Sequence, residues 1–181
     1  METKISVVME RIEPYLDLFD RIVRHGHEVY SSYPPDIAVD LDSSAQAHCT
    51  YRHIKAEAHS VLDELPGVRH VDMRGQNLWL IEPANIVCRF KKTDEDGVST
   101  NYPTPQAKAF DRGDDLPGLP LEPTRLTIGY LLDAAGIGFV RSQVSLPAGR
   151  QTLWCAAIVP ADAREVGETA WYEATKQTRL A

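Results

Sequence analysis

The sequence predicts an α+β fold, in which two N-terminal helices pack on a mainly antiparallel sheet of about six strands. Three observations carry this. Apolar residues recur every three or four positions up to about residue 65. The period then drops to two, in short runs bounded by turn residues. The runs also fall into two groups of three. Within each group the links are so short that neighbouring strands must be antiparallel. Helices thus segregate from strands along the chain, the mark of α+β architecture.

The first helical run covers residues 4 to 30. Ile5, Val8, Met9, Ile12, Tyr15, Leu16, Phe19, Ile22 and Val23 recur at three- and four-residue steps. Pro14 falls inside it and should kink the helix or restart it, because proline removes a backbone donor. "SSYPPD" (31–36) reads as a loop. A second helix fits 43–65, with Asp42 or Ser43 as N-cap, a stripe of Cys49, Ile54, Ala58, Val61, Leu62 and Leu65, and "PG" as stop.

The first meander comprises "VRHVDMR" (68–74), "NLWLIE" (77–82) and "NIVCRFKK" (85–92), linked by "GQ" and "PAN". In its third strand, Ile86, Cys88 and Phe90 lie on one face and Val87, Arg89 and Lys91 on the other. An acidic turn, "TDEDG", follows. A short helix then runs from Pro103 or Thr104 through Phe110, and a proline-rich loop covers 111–123. The second meander is "RLTIGYLLD" (125–133), "GFVRSQVSL" (138–146) and "QTLWCAAIV" (151–159). One domain over 1–159 accommodates these elements, with a helical part at 1–65 and a sheet part at 68–159. Residues 160–181, polar apart from "AWY", read as a C-terminal extension that docks as a helix or frays.

The 181 residues carry a net charge of −7, which opposes general nucleic-acid binding, because neutralising phosphates requires a basic field. Three widely spaced cysteines suggest neither a disulfide framework nor a metal site, and point to buried thiols in the cytoplasm. The N-terminus lacks the pattern of a secretory leader, and no apolar window is long enough to span a membrane. Phosphate-loop, nucleophile-elbow, zinc-protease and dinucleotide-binding patterns are absent, so no cofactor is expected. The histidines lack the paired spacing of zinc ligands, so no metal is expected either.

The chemistry-bearing groups concentrate in "RFKKTDEDGVSTNYPTPQAKAF" (89–110). Arg89, Lys91, Lys92, Asn101, Thr104, Gln106 and, from the next strand, Arg125 are the candidate binding residues. Their donors and acceptors suit a partner's backbone or a small polar ligand. The bland alternative is an edge guarded by lysines and a solvated turn. Asp72, Glu82, Lys91 and Lys92 on consecutive strands raise a metal-dependent nuclease or nucleotide-modifying enzyme, but the close carboxylate–lysine spacing of such sites is missing.

Four segments also carry a resemblance: Arg89 to Lys92, Thr100 to Gln106, Arg125 to Leu132, and Pro147 to Trp154. Over about 60–158 the chain resembles an uncharacterised family from bacteria, prophages and phages. That family's genes commonly neighbour a regulator joining a helix-turn-helix domain to a zinc-peptidase-like domain. The resemblance implies the toxin or effector half of a toxin–antitoxin or phage-defence pair, with that regulator as protein partner. It supplies no catalytic residues. A non-toxic binding module is the remaining alternative.

Overall fold

The structure, a computed structural model, describes residues 3–73, 75–100, 104–115 and 117–174. Pro14 divides the first helical run. Helix α1 (Ile5–Ile12) ends in a 3₁₀ turn over Glu13–Tyr15, and α2 (Leu16–Ser31) resumes from it. The loop expected at the double proline holds a single helical turn, α3 (Pro35–Ala38), with Pro35 at its first position, where a missing N–H costs nothing. Helix α4 (Ser43–Leu62) is capped by Asp42, whose carboxylate accepts from the Ala45 N–H at 2.7 Å. Its buried stripe is Thr50, Ile54, Ala58 and Leu62, a strict four-residue step. Helices α2 and α4 meet at Gly26. A Cβ there would lie 2.3 Å from Ile54 Cγ1 and 2.8 Å from the Ile54 backbone nitrogen.

Among the described residues seven strands form one sheet in chain order: β1 (Val68–Met73), β2 (Gln76–Ile81), β3 (Ile86–Lys92), β4 (Thr124–Leu132), β5 (Phe139–Ala148), β6 (Gln151–Ile158) and β7 (Trp171–Glu173). All neighbours are antiparallel except β3 and β4. That parallel step needs a long crossover, which residues 93–123 provide, including helix α5 (Pro105–Arg112). The sheet is therefore mixed. The expected six strands become seven because "WYE" pairs with β6, so the segment after Pro160 continues the sheet instead of docking as a helix. Three residues are too few to show a period. Residues 175–181 of the expected extension lie outside the described residues. Among the described residues no helix is long and apolar enough to cross a membrane.

The two faces of the sheet are covered differently. Ile86, Cys88, Phe90, Leu126, Ile128, Tyr130, Val144, Leu146 and Trp154 face the helices and form the main core with α1, α2 and α4. The opposite face carries a small apolar cluster, Leu78, Leu80 and Val87, closed by Phe110 of α5. Beside it lie buried polar groups, Arg89, Arg125, Thr127, Gln143 and Ser145.

The acidic turn lies over this polar face, held by donors of the strands beneath. The carbonyls of Asp94, Glu95, Asp96 and Gly97 accept, in order, from Gln143 Nε2 at 2.7 Å, Arg141 Nη2 at 3.0 Å, Thr152 Oγ1 at 2.7 Å and Ser145 Oγ at 2.7 Å. A strap without regular structure has to satisfy its backbone in this residue-by-residue way. Gly97 has φ +81°, and an added Cβ would meet Ser145 Cβ at 2.5 Å and Cys155 Sγ at 3.0 Å. Burial pushes the Cys155 thiol up to about 12.

Candidate functional site

The expected binding residues divide into three groups. Arg89 and Arg125 are under α5 and serve the fold. Arg89 Nε donates to Thr127 Oγ1 at 3.1 Å, and its Nη2 pairs with Asp111. Arg125 donates to the carbonyls of Ala109 at 3.2 Å, Phe110 at 3.4 Å and Asp114, and so caps the C-terminal turn of α5. Both guanidinium carbons approach the Phe110 ring, at 4.3 and 5.8 Å from its centroid. Burial lowers the Arg89 pKa and raises that of Asp111, though each pulls the other back toward its charged form.

Lys91, Thr104 and Gln106 form the second group. They line a cavity of about 160 Å³ with Tyr51, Gln76, Asn77 and Ala107, and Asn101 lies outside the described residues. The sheet itself explains the cavity. The β2–β3 ladder stops at Trp79↔Cys88, yet β2 continues on β1 to Gln76 and β3 continues beside β4 to Lys92. The two strands part, and the split is walled by Tyr51 of α4 and by the first turn of α5. Thr104 caps that turn, its Oγ1 accepting from the Ala107 N–H at 3.2 Å.

The split holds unspent polarity. Both amide atoms of the Gln76 side chain are buried and, among the described residues, make no hydrogen bond. The Lys91 ammonium lies 5.7 Å from the Tyr51 ring centroid, and among the described residues no carboxylate is within ion-pair distance of it. Burial lowers its pKa, Arg89 lowers it further, and Asp111 acts in the opposite sense. Asn77 is oriented from both ends: its Oδ1 accepts from His70 Nε2 at 3.0 Å and its Nδ2 donates to the Tyr51 hydroxyl at 3.2 Å. Burial raises the Tyr51 pKa, so its phenol keeps a proton to donate. A lysine, a phenol, an amide and a helix N-terminus therefore converge on a space that holds several waters' volume.

Lys92 forms the third group. Strand alternation sends it to the helix-covered face, into a separate cavity of about 490 Å³. The two neighbouring lysines thus serve different sites. Asp72 and Glu82 do not come together. Asp72 pairs with Asn77 and accepts from the Gly75 N–H at 2.8 Å, whereas Glu82 follows the far end of β2 and approaches Arg69 at 3.6 Å. Among the described residues no three His, Cys, Asp or Glu side chains are grouped to hold a metal.

Sequence reasoning missed Tyr51, Gln76 and Asn77. Reading "GQ" as a turn removed Gln76 from the strand it opens. The available signal was the pair of amides heading an otherwise apolar strand, "QNLWLI". No family model, no curated protein and no solved structure matches this chain.

Proposed function

We propose that this protein is a binding effector that takes a small anion in the split between β2 and β3. The observation that carries the reading is the Gln76 carboxamide, buried in the cavity that Lys91 shares, with both polar atoms unpaired among the described residues. Leaving such groups unsatisfied costs about 1–3 kcal/mol each, so a ligand that satisfies them is favoured. Lys91, the Tyr51 hydroxyl, Gln76 Nε2 and the Gln106 N–H at the start of α5 are donors to an oxyanion, while Gln76 Oε1 requires a donor in return. A hydrogen phosphate group or a hydroxy-acid carboxylate carries both.

Titration calorimetry with sodium phosphate and with lactate at neutral pH tests this. Wild type should bind one equivalent. Lys91→Met and Gln76→Leu should each weaken binding at least about tenfold, the loss of a charge-assisted or buried hydrogen bond. Equal binding by all three proteins, or none by wild type, would sink the reading.

The resemblance supplies the partner. We take the chain to be the toxin or effector half of a pair and its partner to be a helix-turn-helix regulator. Its net charge of −7 complements a DNA-binding, basic surface. Co-expressed with the neighbouring regulator, the two should elute together from a sizing column. Separate elution at micromolar concentration would remove the partner, and normal growth of cells expressing this chain alone would remove the toxin.

A further inference from the structure

The larger cavity opens among α2, α3, the start of α4 and the β4–β5 hairpin. Its volume of about 490 Å³ falls in the range of small-molecule sites, roughly 300–1,000 Å³. Tyr30, Tyr33, Tyr130 and Leu132 supply apolar wall. Val39 and Ile137 stand at the mouth, 79% and 74% exposed, so the entry is apolar too.

The charge pattern inside is one-sided. The chain has 26 acidic residues against 19 Lys and Arg, yet no aspartate or glutamate is among the described residues lining this space. Lys92 brings an ammonium into it, and among the described residues no carboxylate pairs with that ammonium. The Tyr130 hydroxyl bonds Thr50 and burial pushes its pKa up to about 12, so the phenol stays neutral. The mouth is also fixed. His27 Nε2 donates to the Ile137 carbonyl at 2.8 Å, tying the hairpin to α2. An unpaired cation in apolar surroundings attracts an anion far more strongly than one in water.

We propose that this cavity takes an apolar monocarboxylate, with its ring or chain among the tyrosines and its carboxylate on Lys92. The site is independent of the split between β2 and β3, because Lys91 and Lys92 lie on opposite faces of the sheet.

Thermal unfolding and protein-observed NMR with naphthoate, octanoate, naphthylmethanol and octylamine test the proposal. At least one of the acids should raise Tm and shift the amides of residues 27–33, 43–50 and 136–137. Preference for naphthoate assigns an aromatic ligand, and preference for octanoate an aliphatic one. Lys92→Met should weaken the acid about tenfold or more and leave the alcohol unchanged, consistent with loss of a charge-assisted bond. Ala47→Trp, which fills the space from α4, should abolish binding of both. Lys91→Met should change nothing here, so failure at one site is distinguishable from failure at the other. The proposal is overturned if neither acid binds at millimolar concentration. It is equally overturned if octylamine binds as well as octanoate, or if Lys92→Met, checked as folded by its NMR spectrum, binds the acids like wild type.

Discussion

The two faces of the sheet are closed by different physics. On one, α1, α2 and α4 bury a continuous apolar layer from Val8 to Trp154, and the contacts are mainly non-directional, with the indole N–H groups of Trp79 and Trp154 and the Ser142–Asp20 pair as directional exceptions. On the other, beside the small apolar cluster that Phe110 closes, α5 and the 94–97 strap cover a layer of arginine, threonine, glutamine and serine that is held by specific hydrogen bonds. An apolar face tolerates small changes of side chain so long as volume is kept. A polar face does not, since each lost partner strands a buried group. The difference bears on the proposed anion site: among the described residues the polar layer keeps unpartnered donors, Gln76 Nε2 and Lys91 at its split edge and Arg89 Nη1 beneath α5.

The largest test of this contrast is Arg89→Met. It removes the partner of Asp111 and the donor to Thr127, so unfolding free energy should fall by about 3 kcal/mol, toward the low end for a broken buried pair because Asp111 keeps some exposure. Urea titration reads this directly. An isosteric exchange on the other face, Leu126→Met, should cost under about 1.5 kcal/mol.

Two glycines sharpen the comparison. Gly26→Ala drives a methyl into Ile54 and should lower global stability by about 1–3 kcal/mol, because it separates two helices of the main core. Gly97→Ala clashes with Ser145 and Cys155 from a left-handed backbone position, but the strap can lift locally. Its signature should be labelling of Cys155 by a maleimide, with Cys88 still protected, as read by mass spectrometry. Protection of both thiols in Gly97→Ala would show the strap to be part of the cooperative core.

A smaller effect is expected within the strap. Gln143→Leu leaves the Asp94 carbonyl and Thr93 hydroxyl short of a donor and should cost about 1–3 kcal/mol. Thr152→Val, at a more accessible bond, should cost about 0.5–1.5 kcal/mol. Hydrogen exchange of residues 94–98 should accelerate in both.

The apolar face was legible in the sequence because burial imposes a period. Val8, Ile12, Leu16, Phe19, Ile22 and Val23 announce α1 and α2, and the Ile86, Cys88 and Phe90 alternation of β3 reads directly. The Asp42 cap was legible through chemistry, whereas α5, expected to start at Pro103 or Thr104, starts at Pro105 with Thr104 as its N-cap. The polar face was not, because its order depends on long-range pairing. Nothing local to "TDEDG" says that its carbonyls meet Arg141, Gln143, Ser145 and Thr152, about fifty residues on. The polar alternation of "RSQVS" in β5 was the available hint. Within the candidate site, Lys91, Thr104 and Gln106 were found from their own segment. Tyr51, Gln76 and Asn77 were missed because they arrive from α4 and from the divergence of β2 and β3.

The smallest effect is a pH dependence. Burial lowers the folded pKa of Lys91 below its unfolded value, so the unfolded chain binds the extra proton more readily. Wild-type stability should therefore rise relative to Lys91→Met as pH climbs from the lowered pKa toward the ordinary lysine value of about 10.4. Anion affinity should fall over that same alkaline window as the ammonium is lost.

The most direct measurement is the side-chain amide resonance of Gln76, followed by NMR while phosphate is added at neutral pH. The account predicts a saturable shift of that amide together with the backbone N–H signals of Gln106 and Ala107, abolished by Lys91→Met. A Gln76 signal that stays fixed to tens of millimolar phosphate, or moves identically in the variant, would contradict it.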